Sequence, residues 1–207
     1  RDRLELGDYE SAKADFDQAI SMDPKNYDRL IEIYEALAAH GYREVGQEYL
    51  QNVLDTAKQL DAYDSGRIYY YLGEYQKAYL ALDEARDKGG ADSYLYLGRA
   101  YAATGDYNYA SSVYNNYLSK QGPNAEIYNE LGLCEMAKKE YQNALAAFQA
   151  GKQIEGNSLM QTLCFNEIVA YEYLEDYQQA EVLMNAYLQN YPDDQAAIRE
   201  QQFLSTR

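Results

Sequence analysis

Between Ser93 and Lys120 the chain carries two apolar patterns of helical period, one after the other. In SYLYLGRAYAAT, starting at Ser93, the residues Leu97, Gly98 and Tyr101 recur at i, i+1 and i+4 and mark one face of a helix. In YNYASSVYNNYLSK, starting at Tyr107, the residues Tyr107, Ala110, Tyr114 and Tyr117 recur at three and four and form the inner stripe of a second helix. Gly105-Asp106 lies between them and supplies a left-handed stop followed by an N-cap. These patterns predict a helix hairpin. A hairpin of this size cannot bury both of its faces alone, so hairpins of this kind stack.

The same pattern recurs along the chain. Six segments align: GDYESA from Gly7, GYREVG from Gly41, GEYQKA from Gly73, GDYNYA from Gly105, KEYQNA from Lys139 and EDYQQA from Glu175. Their last residues, Ala12, Gly46, Ala78, Ala110, Ala144 and Ala180, are 34, 32, 32, 34 and 36 residues apart. Five of the six end on Ala, and five carry Tyr three residues earlier. A period near 34 residues is the signature of a repeat architecture.

Taken together, these columns resemble the tetratricopeptide repeat (TPR), and the resemblance covers nearly the whole chain. That family's pattern places a large residue, Leu-Gly and Tyr on the first helix, and Tyr, Ala, Phe, Ala and a closing Pro on the second. The first unit matches the second-helix part at Tyr9, Ala12, Phe16, Ala19 and Pro24. First-helix matches are Tyr94, Leu97, Gly98 and Tyr101 in the fourth unit, and Tyr128, Leu131 and Gly132 in the fifth. The sixth unit ends on Tyr177, Ala180, Met184, Tyr187 and Pro192. The resemblance implies an all-α fold, a right-handed α-solenoid of stacked helix-turn-helix repeats. Residues 1–192 would form about five and a half repeats, the first truncated because Arg1 falls halfway along its first helix. Residues 193–207 would form a closing helix, with Ile198 and Phe203 covering the last repeat.

Three departures from the pattern carry expectations of their own. In the second unit the small first-helix position holds Tyr34 and the second-helix alanine position holds Gly46, which reads as an exchange that conserves volume. The sixth unit places Ile168 opposite Ala180 without such compensation, so its helices are expected to sit further apart. The two spacings of 32 residues predict shortened connections around Gln59 to Asp64 and Lys88 to Ala91.

Composition narrows the function. The 207 residues hold 18 Lys and Arg against 34 Asp and Glu, a formal charge of −16, which excludes a general nucleic-acid binder and a basic membrane-surface segment. No run approaches the 18 or so apolar residues of a membrane helix, so no direct membrane insertion by this segment is expected. Tyrosine is abundant, 25 residues beside four Phe and no Trp, and the repeat's own Tyr column accounts for part of the excess. The column residues Tyr9, Tyr75, Tyr107, Tyr141 and Tyr177 are expected to pack between helices. Tyr69, Tyr70 and Tyr71 step about 100° apart around one helix, which predicts that at least one is exposed. Cys134 and Cys164 lie outside any metal-ligand spacing and read as small buried hydrophobes, with a disulfide between neighbouring helices as the alternative. A signal, lipid anchor or further domain upstream of Arg1 is compatible with the sequence, which leaves the compartment open.

Catalysis finds no motif. GxSxG, HExxH, a P-loop and the DxDxDG calcium spacing are absent, and the one histidine, His40, ends a helix, where an imidazole caps carbonyls or faces solvent. Carboxylate pairs such as Asp193-Asp194 and Glu175-Asp176 read as solvated faces. The expected protein is therefore not an enzyme and needs no cofactor or metal.

The resemblance instead implies a concave surface lined by first helices that holds a peptide or protein segment. Carrying the family's groove-facing columns over gives Ile31, Glu35, Tyr63, Arg67, Tyr70, Leu95, Arg99, Asn129, Leu133, Met136, Phe165, Val169 and Tyr173. The Lys and Asn pattern of the family's carboxylate clamp is missing there. Arg67 and Arg99 are 32 residues apart in one column, and two readings are open. They could grip an acidic group of the partner in bidentate fashion, or each could pair with a local acid such as Asp64 or Asp92, or with the Tyr96 hydroxyl. The rival functions are a glycan-binding surface of stacked tyrosines and a self-associating structural repeat domain of a cell-surface protein.

Overall fold

The structure is a computed structural model that describes residues 2–86 and 90–206, with Asp2 described by its backbone alone. Thirteen helices and no strand are found among these residues. Twelve of the helices form consecutive pairs. These are α1 (Asp2–Glu5) with α2 (Tyr9–Met22), α3 (Tyr27–Ala39) with α4 (Arg43–Thr56), α5 (Ala62–Tyr71) with α6 (Tyr75–Ala85), α7 (Gly90–Ala103) with α8 (Tyr107–Gln121), α9 (Ala125–Ala137) with α10 (Tyr141–Lys152), and α11 (Met160–Tyr173) with α12 (Tyr177–Asn190). The thirteenth, α13 (Gln195–Leu204), follows alone. The helices divide into two compact units, one carrying α1–α6 and the other α7–α13.

One backbone device makes all six hairpin turns. The first helix of each pair ends on a residue with positive φ, and the next amide reaches back five residues, as from Asp106 to the Tyr101 carbonyl at 3.1 Å and from Asp176 to the Tyr171 carbonyl at 3.0 Å. Glycine occupies the left-handed position in four turns, at Gly7, Gly41, Gly73 and Gly105. Lys139 (φ 65°) and Glu175 (φ 61°) occupy it in the other two, so the KEYQNA and EDYQQA segments keep the turn geometry without its usual residue. The second helix then starts on an N-cap, and Asp8, Asp106 and Asp176 accept from the amides of Ser11, Tyr109 and Gln179.

Within four of the pairs a small residue on one helix admits a large one from the other. A Cβ on Gly98 would overlap the Tyr114 ring, one on Gly132 would overlap the Phe148 ring, and one on Gly66 would come within 2.5 Å of Leu82 Cγ. Tyr114, Phe148 and Leu82 are fully buried as a result, and each such side chain contributes about 1.5–3 kcal/mol. The α3/α4 pair reverses the arrangement. Its large residue is Tyr34 on the first helix, and a Cβ on Gly46 would come within 2.9 Å of Tyr34 Cδ2 and 3.3 Å of Tyr34 Cα. In the sixth pair Ile168 is buried together with Ala180 and Met184.

Two sequence expectations change. The connection between α4 and α5 spans residues 57–61 and is not short; instead α5 has 10 residues, where the other first helices after α1 have 13 or 14, and α6 has 11, where the other second helices have 12 to 15. The missing residues come from the start of α5, where Gly66 lies only four residues beyond Ala62. Of the second expected short connection, Lys88 and Gly89 lie outside the described residues. In α13 the buried side chains are Ala197 and Leu204, while Ile198 is half-buried and Phe203 more exposed. Residues 197 and 204 are seven apart and share a helix face, whereas 198 and 203 do not.

Candidate functional site

The expected binding residues sit on the first helices of the pairs, and the two compact units arrange theirs separately. In the α1–α6 unit, Ile31 on α3 is buried among core residues and Glu35, one turn on, is exposed. Glu35 accepts a 2.6 Å hydrogen bond from the Tyr71 hydroxyl of α5. Arg67 is buried in the middle of α5 over the Tyr63 ring, 4.3 Å from its centroid. Its Nη1 reaches Asp28 of α3 at 2.5 Å, its Nη2 reaches Asp64 of α5 at 2.5 Å, and its buried Nε has no hydrogen-bond partner among the described residues. Burial works against this charge, but the bonds to Asp28 and Asp64 outweigh it and hold the guanidinium above its usual pKa. For Asp64 the balance runs the other way: burial exceeds the pull of Arg67 and raises its carboxyl above the usual range.

The three consecutive tyrosines of α5 are all half-buried, which departs from the expectation that one would be exposed. Tyr69 lies under the Lys77 ammonium at 5.4 Å. Tyr70 packs on Tyr71 and Tyr75 at 5.3 and 5.9 Å between centroids, and Tyr71 on Tyr34 at 5.0 Å. Tyr70 and Tyr71 thus have aromatic neighbours, and Tyr69 a cation over its ring. At the end of α3, His40 donates from Nδ1 to the Ala36 carbonyl at 2.8 Å and so caps its helix.

The α7–α13 unit repeats the theme with different chemistry. Leu95 on α7 is buried and Arg99 is half-buried. The Arg99 guanidinium spans to α9, giving Glu130 bonds from Nε at 3.0 Å and Nη2 at 2.7 Å, and giving Glu126 a bond from Nη2 at 2.9 Å. Asn129 on α9 is buried and accepts from Asn166 of α11 at 2.9 Å. Polar side chains thus tie α7 to α9 and α9 to α11. The remaining expected residues of these helices are mainly apolar. Leu133 is 43% exposed and Tyr173 57%, with Met136, Phe165 and Val169 half-buried. Tyr173 stacks on Tyr141 at 5.0 Å with an interplanar angle of 27°, and Phe165 meets Tyr187 edge-on at 5.8 Å.

Each arginine is therefore engaged by two carboxylates of its own chain. For Arg67 one partner is the expected Asp64; for Arg99 the partners are Glu126 and Glu130 rather than Asp92 or Tyr96. Asp28, Glu126, Glu130 and Asn166 are the residues that sequence reasoning missed. The available signal was an acid or amide 27 to 39 residues from its partner, about one repeat away.

Elsewhere in this unit a cleft of about 360 Å³ lies between α10, α11 and α12, lined in part by Lys152, Cys164, Glu167 and Tyr191. Its buried Glu167 is held by Lys152 and by Gln149 at 2.9 Å. Both cysteines are free thiols. Burial, with Glu130 and Glu135 nearby, pushes the Cys134 thiol up to about 12. Among the described residues no cluster of three or more His, Cys, Asp or Glu could hold a metal ion, and no helix is long and apolar enough to cross a membrane.

The tetratricopeptide repeat profile matches residues 63–110 and 97–157, and a second profile of the same repeat matches 3–26, together more than half of the chain. The chain belongs to the tetratricopeptide repeat family. Proteins of this family are typically non-catalytic scaffolds for protein–protein interaction. A search of the curated proteins returns no match. Among solved structures, the TPR chain resembles one from the APC/C hetero-tetramer Cut9-Hcn1, with a TM-score of 0.65 at 17% identity over 99% of its own length and 41% of that protein's. It therefore spans about two fifths of that relative. It also resembles YrrB, described as a TPR protein with an unusual peptide-binding site, with a TM-score of 0.59 at 18% identity, covering 90% of this chain and 97% of YrrB. PilF of Pseudomonas aeruginosa gives a TM-score of 0.58 at 18% identity, covering 99% and 93%.

Proposed function

We propose that the chain is a non-catalytic scaffold that holds a peptide or protein segment against the first helices of the α7–α13 unit. The observation that carries this reading is the pair of exposed apolar side chains, Leu133 and Tyr173, on helices that Asn129 and Asn166 tie together. Leu133 lies one turn beyond Asn129, and Tyr173 two turns beyond Asn166, so each shares a face with its tie. An exposed leucine and an exposed tyrosine on two fixed helices are suitable anchors for a segment with its own apolar side chains. The fold shared with YrrB supports the reading. It includes residues 1–192 as the repeat array and 193–207 as its closing helix, with Glu35, Tyr63 and Tyr70 as further contact positions in the α1–α6 unit.

The test is selection of 12-residue peptides from a random library on the intact chain, followed by binding to the Leu133→Ser/Tyr173→Ser variant. Loss of about tenfold or more in affinity, with helical circular dichroism unchanged, supports the site. Equal binding by the variant places the site elsewhere and sinks the proposal. One observation favours a glycan as a second reading. Tyr109 and Tyr173 are both exposed and each is backed by another ring, Tyr109 by Tyr101 at 4.3 Å and Tyr173 by Tyr141. Retention on immobilised polysaccharide that excess selected peptide does not reverse would favour the glycan.

A further inference from the structure

We infer that the segment held on the α9 and α11 wall is cationic, with Lys or Arg side chains flanking its apolar anchors. This rests on the peptide-holding reading above and adds the chemistry of the partner. An acidic partner would need free guanidinium edges, and Arg99, the arginine on this wall, is turned to α9 and shared by Glu126 and Glu130. One positive charge facing two carboxylates leaves the cluster net negative. Glu126 remains 45% exposed in its side chain while it binds Arg99, so its carboxylate can take a second cation from solution. Leu133 follows Glu130 and Glu126 at i+3 and i+7 on α9 and stands on the same helix face as the carboxylates.

The field around the wall has the same sign. Residues 89–207 contain seven Lys and Arg against fifteen Asp and Glu, and two of those lysines are already committed, Lys138 to Glu135 at 2.7 Å and Lys152 to the buried Glu167. A cationic segment is steered toward such a surface and an anionic one away from it. The apolar end of the wall suits the same partner. The exposed Tyr173 ring, supported from behind by Tyr141, can receive a guanidinium or ammonium on its open face. The geometry thus combines carboxylates at one end with an apolar and aromatic step at the other.

The inference is tested by isothermal titration of the intact chain with three synthetic 12-residue peptides. They share one set of Leu and Tyr anchors and differ only in carrying Lys/Arg, Gln or Glu between them. The expected result is that the cationic peptide binds about tenfold or more tighter than the neutral one, with affinity falling between 20 and 200 mM salt. Glu126→Gln is then expected to weaken the cationic peptide by about threefold to tenfold and to leave the neutral peptide unchanged, whereas Glu181→Gln, on the exposed side of α12, changes neither. Because any acidic protein attracts cations, the Leu133→Ser/Tyr173→Ser variant must also lose the cationic peptide. If it binds that peptide like the parent chain, the attraction is diffuse and the inference fails. Equal or tighter binding of the Glu peptide overturns the cationic partner while leaving the peptide-holding reading intact. If none of the three peptides binds and library selection also yields nothing, the peptide-holding reading itself fails.

Discussion

At the scale of the residue, the backbone demands more uniformity than the sequence displays. The six hairpin turns share one left-handed position, yet only four of them use glycine. A non-glycine residue there costs about 1–2 kcal/mol, partly offset by the conformational freedom that glycine gains on unfolding. Lys139→Gly and Glu175→Gly are therefore each expected to stabilise by about 0.5–1 kcal/mol in urea titrations, and Gly105→Ala to destabilise by about 1 kcal/mol. The buried glycines respond to size instead of conformation. Gly132→Ala drives a methyl into the Phe148 ring and Gly46→Ala one into Tyr34, so both should cost about 1–3 kcal/mol despite alanine's better helix propensity. Unchanged melting temperatures would show that the pairs open without penalty. The two thiols separate by environment: Cys134, buried and pushed up to about 12, should resist a thiol reagent in the folded chain, while half-buried Cys164 reacts first.

At the scale of the element, two acidic contacts decide how helices are held. Asp64 on α5 is raised in pKa although it touches Arg67, so for this carboxylate burial costs more than the attraction returns, while the guanidinium is held charged by Asp28 and Asp64 together. Arg67→Ala should then destabilise by about 3–5 kcal/mol by stranding Asp64, and the Asp64→Leu/Arg67→Met double variant should recover most of the loss, read by urea unfolding. The last helix, α13, carries the second contact. Burial, together with Glu200 of α13, pushes Glu172 of α11 up to about 7 from 4.5. Between those two pH values the folded chain keeps a proton that the unfolded chain has lost, so stability falls as pH rises through the window. Glu172→Gln should flatten that dependence, and hydrogen exchange of α13 amides across pH 5 to 8 would show it. The turns and pairs were legible in the sequence because each is local, written in a Gly, an Asp or an Ala at a fixed offset. The ties between first helices were not. Asp28, Glu126 and Glu130 belong to a pool of 34 acidic residues and meet their arginines about one repeat away, where no short spacing marks them. The buried face of α13 was misjudged because Ile198 and Phe203 are more apolar than Ala197, although only Ala197 and Leu204 share a face.

At the scale of the whole molecule, a charge of −16 opposes the folded state by self-repulsion. Raising sodium chloride from 10 to 200 mM should raise the melting temperature by a few degrees, which at this size corresponds to about 1 kcal/mol; a constant or falling value would mean that the internal ion pairs lose as much to screening as the surface gains. The ties have a consequence for how such an array could grow. These three junctions each join their helices by their own chemistry: Arg67 with Asp28, Arg99 with two glutamates, Asn129 with Asn166. A tandem duplication of the α9/α10 hairpin would place the copy's Glu130 where Asn166 now meets Asn129, and would offer the copy's Glu126 no arginine. The new junction would gain carboxylates without a cation to hold them. Hairpins that share one turn geometry are thus not interchangeable parts, and at these three junctions their order along the chain is itself specified.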